Sequence, residues 1–164
     1  MGGERPLFAS HDLKLDNVTI TAGESGIKCC SNIVAENCRF EGKYPFWHVD
    51  GFKIHNCLFT PGARAALWYS RDLEMTDTVV DAPKMFREME KLTLNNVKLN
   101  DALETFWHTS KVKLEDVEGL AAKRNVRFKP SLKFGNAHKA RRTRRAIFII
   151  HLTSCAKFLE RRKG

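Results

Sequence analysis

The chain is 164 residues long, 43% hydrophobic and 29% charged, the composition of one globular domain, which excludes a disordered or collagen-like chain. It has no run of 18 apolar residues, and MGGERPLFASHDLKL lacks the apolar core of a signal peptide, so a soluble, cytoplasmic protein with no membrane span is expected. The net charge of +9 is uneven: residues 1–118 hold 14 Lys and Arg against 18 Asp and Glu, residues 119–164 hold 14 against 1, and the mildly acidic body argues against an extended nucleic-acid surface.

From His11 onward one pattern recurs: HDLKLDNVTI, SNIVAENCRF from Ser31, DGFKIHNCLF from Asp50, RDLEMTDTVV from Arg71, EKLTLNNVKL from Glu90 and SKVKLEDVEG from Ser110. The starts are 20, 19, 21, 19 and 20 residues apart. A fixed period of this length marks a solenoid, because one unit cannot bury its apolar face alone and must stack on the next. Within each segment apolar and polar residues alternate, as in Leu13 and Leu15 or Leu92 and Leu94, which predicts short strands with one buried face. The fold expected is therefore all-β, a parallel β-helix of about six coils over residues 1–118.

The seventh position of each segment is Asn17, Asn37, Asn56, Asp77, Asn96 or Asp116. Asn and Asp tolerate the left-handed backbone region, so one per coil would turn the chain at the same place and stack into a ladder. A metal- or ligand-binding column is the alternative. The next position holds Val18, Cys38, Cys57, Thr78, Val97 and Val117, so Cys38 and Cys57 are expected as buried free thiols, with a disulfide between adjacent rungs as the alternative. The five cysteines form no C-x-x-C pair. His11, His48, His55 and His108 show no zinc-ligand spacing, and GESG at 23–26 is too short for a phosphate loop, so neither metal nor cofactor is expected.

Six residues before the third position runs a second apolar column, Leu7, Ile27, Phe46, Leu67, Phe86 and Phe106. The residue after it should point outward, and this column reads Phe8, Lys28, Trp47, Trp68, Arg87 and Trp107, followed by Ala9, Cys29, His48, Tyr69, Glu88 and His108. All three tryptophans thus share one position of the coil. Outward aromatics on successive rungs suit sugar rings, whose CH faces pack on indole while their hydroxyls bond polar neighbours. Trp47, Trp68, Tyr69, Arg87, Trp107 and His108 are the candidate ligand-binding residues, with Arg64, Lys84 and Glu104 upstream as further polar groups. The alternative is that the column serves packing alone. For catalysis the candidates are Glu88 and Glu104 as carboxylates, with Arg87 or Lys84 as charge stabilisers, against a default in which all four are salt-bridged surface residues.

KYPFWHVDGF at 43–52, ARAALWYSRDL at 63–73, APKMFREMEKL at 82–92 and ALETFWHTSKV at 102–112 resemble a bacterial family of unknown activity with the pectin-lyase-like, single-stranded right-handed β-helix. The resemblance covers about residues 3–118 and implies the fold and its right hand; it supplies no catalytic residue. Binding of a carbohydrate or another extended polymer is the leading functional expectation. A carbohydrate-active lyase or hydrolase and a structural or protein-interaction scaffold, a homo-oligomer through its coil ends included, are the alternatives.

After Gly119 the pattern breaks. NVRFKPSLKFGN at 125–136 faintly echoes it, and the divergent basic tail that follows fits a truncated or frame-shifted member of a longer β-helix family. Within the tail, 146–160 is expected as a short helix capping the last coil, too short to span a bilayer. RRTRR at 141–145 would bind nucleic acid or acidic membrane by charge alone, and without interleaved aromatics a nucleic-acid partner is not expected.

Overall fold

A computed structural model describes residues 1–21, 23–119 and the strand 147–150. The alternation of apolar and polar residues becomes strands stacked in parallel, one coil on the next. The first coil holds β1 (Leu7–Phe8), β2 (His11–Asp16) and β3 (Thr19–Ile20). The second holds β4 (Ile27–Lys28), β5 (Ser31–Glu36) and β6 (Arg39–Phe40), and the third β7 (Phe46–Trp47), β8 (Asp50–His55) and β9 (Leu58–Phe59). In the last three coils the second and third strands merge into β10 (Arg71–Val80), β11 (Glu90–Leu99) and β12 (Ser110–Glu118). The described residues contain no helix, and so none long and apolar enough to cross a membrane.

Register follows the repeat. Leu13, Ile33, Phe52, Leu73, Leu92 and Val112 are successive partners, as are Leu15, Ala35, Ile54, Met75, Leu94 and Leu114. Both columns point into a core that is closed by the second apolar column, with Ile27, Phe46, Leu67 and Phe86 fully buried. Inside it, aromatic rings stack from coil to coil: Phe40 on Phe59 at 4.7 Å and Phe86 on Phe106 at 5.1 Å between ring centres. Each such side chain removed from water contributes about 1.5–3 kcal/mol, and only the stack as a whole can bury it.

The corners are built from left-handed residues. Asn17, Asn37, Asn56, Asp77, Asn96 and Asp116 all have φ between 48° and 55°, as the turn expectation requires. Side-chain bonds run from rung to rung along this corner: Asn37 donates to Asp16, the residue before Asn17, and Asn56 to Asn37, each at 2.8 Å, and Asn96 donates to Asp77 at 2.6 Å. Cys38, Cys57 and Thr78 sit just inside this corner. Both cysteines are buried free thiols, but they act as more than small apolar groups. The Cys38 amide donates to Cys57 Sγ and the Cys57 amide to Thr78 Oγ1, each at 3.3 Å, while Thr78 Oγ1 donates to the Thr76 carbonyl at 2.8 Å. Thiol and hydroxyl therefore satisfy backbone groups that the turn takes out of the strand ladder.

At the C-terminal end, Ile147–Ile150 is a strand, β13, paired antiparallel to β12. This corrects the expectation of a capping helix over 146–160 for these four residues. Ile-Phe-Ile-Ile is rich in β-branched residues, and β12 offers a row of unpaired backbone groups that a strand covers and a helix does not. The rest of 146–160, the echo at 125–136, RRTRR and Cys155 lie outside the described residues.

Candidate functional site

A second left-handed column sets the geometry of the outer face. Ala9, Cys29, His48, Tyr69, Glu88 and His108 have φ between 52° and 55°. A non-glycine residue there costs about 1–2 kcal/mol. Cross-rung hydrogen bonds offset the cost: the amides of His48, Tyr69 and Glu88 donate to the carbonyls of Trp68, Arg87 and Trp107 at 3.1, 3.1 and 2.8 Å. Under the corner, Ser70 Oγ accepts from the Val49 amide at 3.0 Å and donates to the Trp68 carbonyl at 3.1 Å. The left-handed turn interrupts alternation, so two consecutive side chains per rung, such as Trp68 and Tyr69, stay clear of the core.

The tryptophan column stacks upon itself. Lys28 Nζ lies 5.7 Å from the centre of Trp47, Trp47 lies 5.3 Å from Trp68, and the Arg87 guanidinium lies between Trp68 at 4.7 Å and Trp107 at 4.2 Å. Tyr44 packs edge-on against Trp47 at 5.1 Å. Trp47 and Trp68 are consequently half-buried, and the Arg87 side chain retains only 12% of its exposure. Trp107, 47% exposed, and Tyr69, 45% exposed, stay open to solvent, as does Phe8 in the first coil. Tyr69 is nearly parallel to both Trp68 and His48, at interplanar angles of 11° and 14°.

The charged candidates form ion pairs across rungs. Glu104 meets Lys84 at 3.3 Å and the Arg87 guanidinium at 3.9 Å, and Glu88 meets His108 at 3.5 Å. The structure thus brings Lys84, Arg87 and Glu104 together and, separately, Glu88 and His108. Glu104 is thus held by two cations, whereas Glu88 meets the imidazole of His108.

Beside Tyr69 the corner opens into a shallow depression of about 370 Å3 spanning three rungs. Val49 and Ser70 line it, with His48, Tyr69 and Glu88 from the corner column and Asp50, Arg71 and Glu90 from the first position of the long strands. Asp50 is hydrogen-bonded to Arg71, and this bond holds its carboxyl below the ordinary carboxylate range. Glu90 is hydrogen-bonded to Lys111 of the next rung and is lowered in the same way. The sequence pattern passed over Asp50, Arg71 and Glu90. Their signal was an alternation of sign along one column, in which Asp, Arg and Glu follow one another at the first position of successive repeats.

Residues 1–132 match the family model described as "Protein of unknown function (DUF3737)". No curated protein and no solved structure matches the chain.

Proposed function

We propose, from the premise that the chain belongs to the DUF3737 family and that this family brings no assigned activity with it, that the protein binds an extended saccharide along its outer aromatic face. Tyr69 carries the proposal: its ring is 45% exposed beside a depression lined by hydrogen-bonding groups, and an apolar ring edge next to such groups is the combination that holds a pyranose by its CH groups and its hydroxyls at once. Trp107 and His108 extend the surface, while Trp47, Trp68 and Arg87 support it from beneath as a packed stack. Rungs recur at roughly 4.8 Å, a spacing that lets groups on successive coils meet successive units of a polymer.

Titration of the protein with oligosaccharides, followed by tryptophan emission, tests the proposal. Saturable quenching that Tyr69→Ala and Trp107→Ala weaken is the expected result. A folded protein whose emission no saccharide changes would leave a structural or protein-binding solenoid instead.

A pectin-lyase-like enzyme is the second reading, favoured by the contact of Glu88 with His108 at 3.5 Å next to the depression. Release of reducing ends or unsaturated products, lost in Glu88→Gln, would establish it; saturable binding without turnover would discard it.

A further inference from the structure

We infer that the first coil is a self-docking edge, on which two copies of the chain join head to head by antiparallel pairing of β2 with β2 about a twofold axis.

The two ends of the stack differ. At the far end β13 covers β12. In the first coil the Thr21 amide donates to the Met1 carbonyl at 2.8 Å, which covers the edge beside β3, but among the described residues nothing pairs with the outer edges of β1 and β2. The core at this end is correspondingly unfinished. Leu7, Leu13 and Val18 are only partly buried, whereas Ile27, Ile33 and Cys38, their equivalents one coil on, are 0, 1 and 3% exposed. Phe8 and Met1 stand exposed on the same coil. A row of free backbone groups beside an incomplete core is a template for another strand.

The sequence of β2 specifies that strand. Leu15 is buried and Leu13 partly so, while Lys14 and Asp16 face solvent, so no inward charge blocks the edge. Antiparallel pairing of β2 with its own copy must set inward residues opposite inward ones, which leaves Leu13, Lys14 or Leu15 on the twofold axis. With Lys14 on the axis, Lys14 opposes Lys14 and Asp12 opposes Asp16, all pairs of like sign. With Leu13 there, the ladder runs through Asp12, whose left-handed backbone, φ 55°, takes no partner even in the pairing with β5. With Leu15 there, Leu15 meets its copy inside the core and Lys14 faces Asp16 of the other copy twice, once on each side of the axis. Asp16 suits that contact: it is bonded to the Asn37 amide at 2.8 Å and Lys14 to Glu36 at 2.9 Å, so among the described residues no cation is bonded to Asp16. The contact is isologous and β13 covers the other end of each copy, so assembly closes at two chains.

Sedimentation velocity of the full chain at low salt, from about 1 µM to about 100 µM, tests the inference. The expected result is a twofold rise in mass with concentration and no larger species. Lys14→Asp and Asp16→Lys each turn both facing pairs into like charges and should weaken the dimer about tenfold. The double variant Lys14→Asp, Asp16→Lys restores opposite signs and should recover the parent dimer, with circular dichroism establishing that all three variants are folded. A parent chain that stays monomeric throughout overturns the inference. So does a dimer that neither single substitution weakens, or a folded double variant that associates no better than the singles.

Discussion

The guanidinium carbon of Arg87 stands 4.2 Å from the centre of the Trp107 ring on the next rung. Its other face lies 4.7 Å from Trp68, so one cation joins two rings that would otherwise be separated by an empty rung. A largely desolvated cation–π contact contributes up to about 2 kcal/mol. Arg87→Ala should therefore lower stability by about 1–2 kcal/mol and shift tryptophan emission to the red as both rings gain water. Arg87→Lys should recover part of the loss, since an ammonium keeps the charge but not the planar stacking. Denaturant melts of the three proteins decide it, and an alanine variant as stable as the parent would show that the stack contributes nothing net.

Both the place of Arg87 in the column and its outward direction were legible in the sequence, but its role was not. Period and alternation define which residues share a rung face, so the core columns, the Asn corner and the tryptophan column all follow from spacing. Spacing carries no information on how far long side chains lean along the solenoid axis. Trp47 and Trp68 lean into contact, and Arg87 fills the interval to Trp107, so a strip expected as open to ligands is partly consumed by its own packing. The depression was hidden for a related reason. It forms where left-handed residues His48, Tyr69 and Glu88 turn the chain, and a pattern of period two has no term for a corner. At the other end, Ile147–Ile150 has an apolar pattern that suits a helix or a strand, and only the presence of β12 as a partner decides between them.

Asn56 combines a left-handed backbone, φ 48°, with a side-chain bond to Asn37 at 2.8 Å. The two contributions separate by substitution. Asn56→Gly retains the turn and loses only the ladder bond, a cost of about 1 kcal/mol. Asn56→Val loses the bond and places a β-branched side chain in the left-handed region, for a total of about 2–3 kcal/mol. Urea midpoints should fall in the order parent, Gly, Val; if Gly and Val coincide, the corner does not depend on left-handed tolerance.

Phe59 is fully buried, stacked on Phe40 at 4.7 Å in the third coil. Because each coil is stabilised mainly by its neighbours, a cavity here weakens two interfaces. Phe59→Ala should cost about 3–5 kcal/mol, whereas Phe8→Ala, at a ring 53% exposed in the first coil, should change stability by less than about 0.5 kcal/mol. Denaturant melts check the contrast, and comparable losses at the two sites would mean that the ring stack inside the core carries no special share of the stability.

Burial pushes the Cys57 thiol up to about 12 from an ordinary 9.0, because its thiolate would be cut off from water. In the unfolded chain the same thiol ionises near 9.0, so between these values the unfolded state binds fewer protons than the folded one and stability falls as pH rises. The contribution is fully present below pH 9, declines by about 1.4 kcal/mol per unit above it, and is exhausted once the folded thiol itself ionises near 12. Lysines also titrate in this window, so the informative quantity is the difference between the parent and Cys57→Thr. Threonine supplies the hydroxyl that Thr78 already uses one rung on and has no proton to lose in this range. Midpoints measured from pH 8 to 10.5 should show the parent losing ground to Cys57→Thr by on the order of 1 kcal/mol at pH 10. Alkylation mapped by mass spectrometry at pH 8 should mark Cys29, which is exposed, and leave Cys30, Cys38 and Cys57 unmodified. Parallel pH curves for the two proteins, or rapid labelling of Cys57 in the folded chain, would place the thiol in contact with water and remove the physical basis for its raised ionisation.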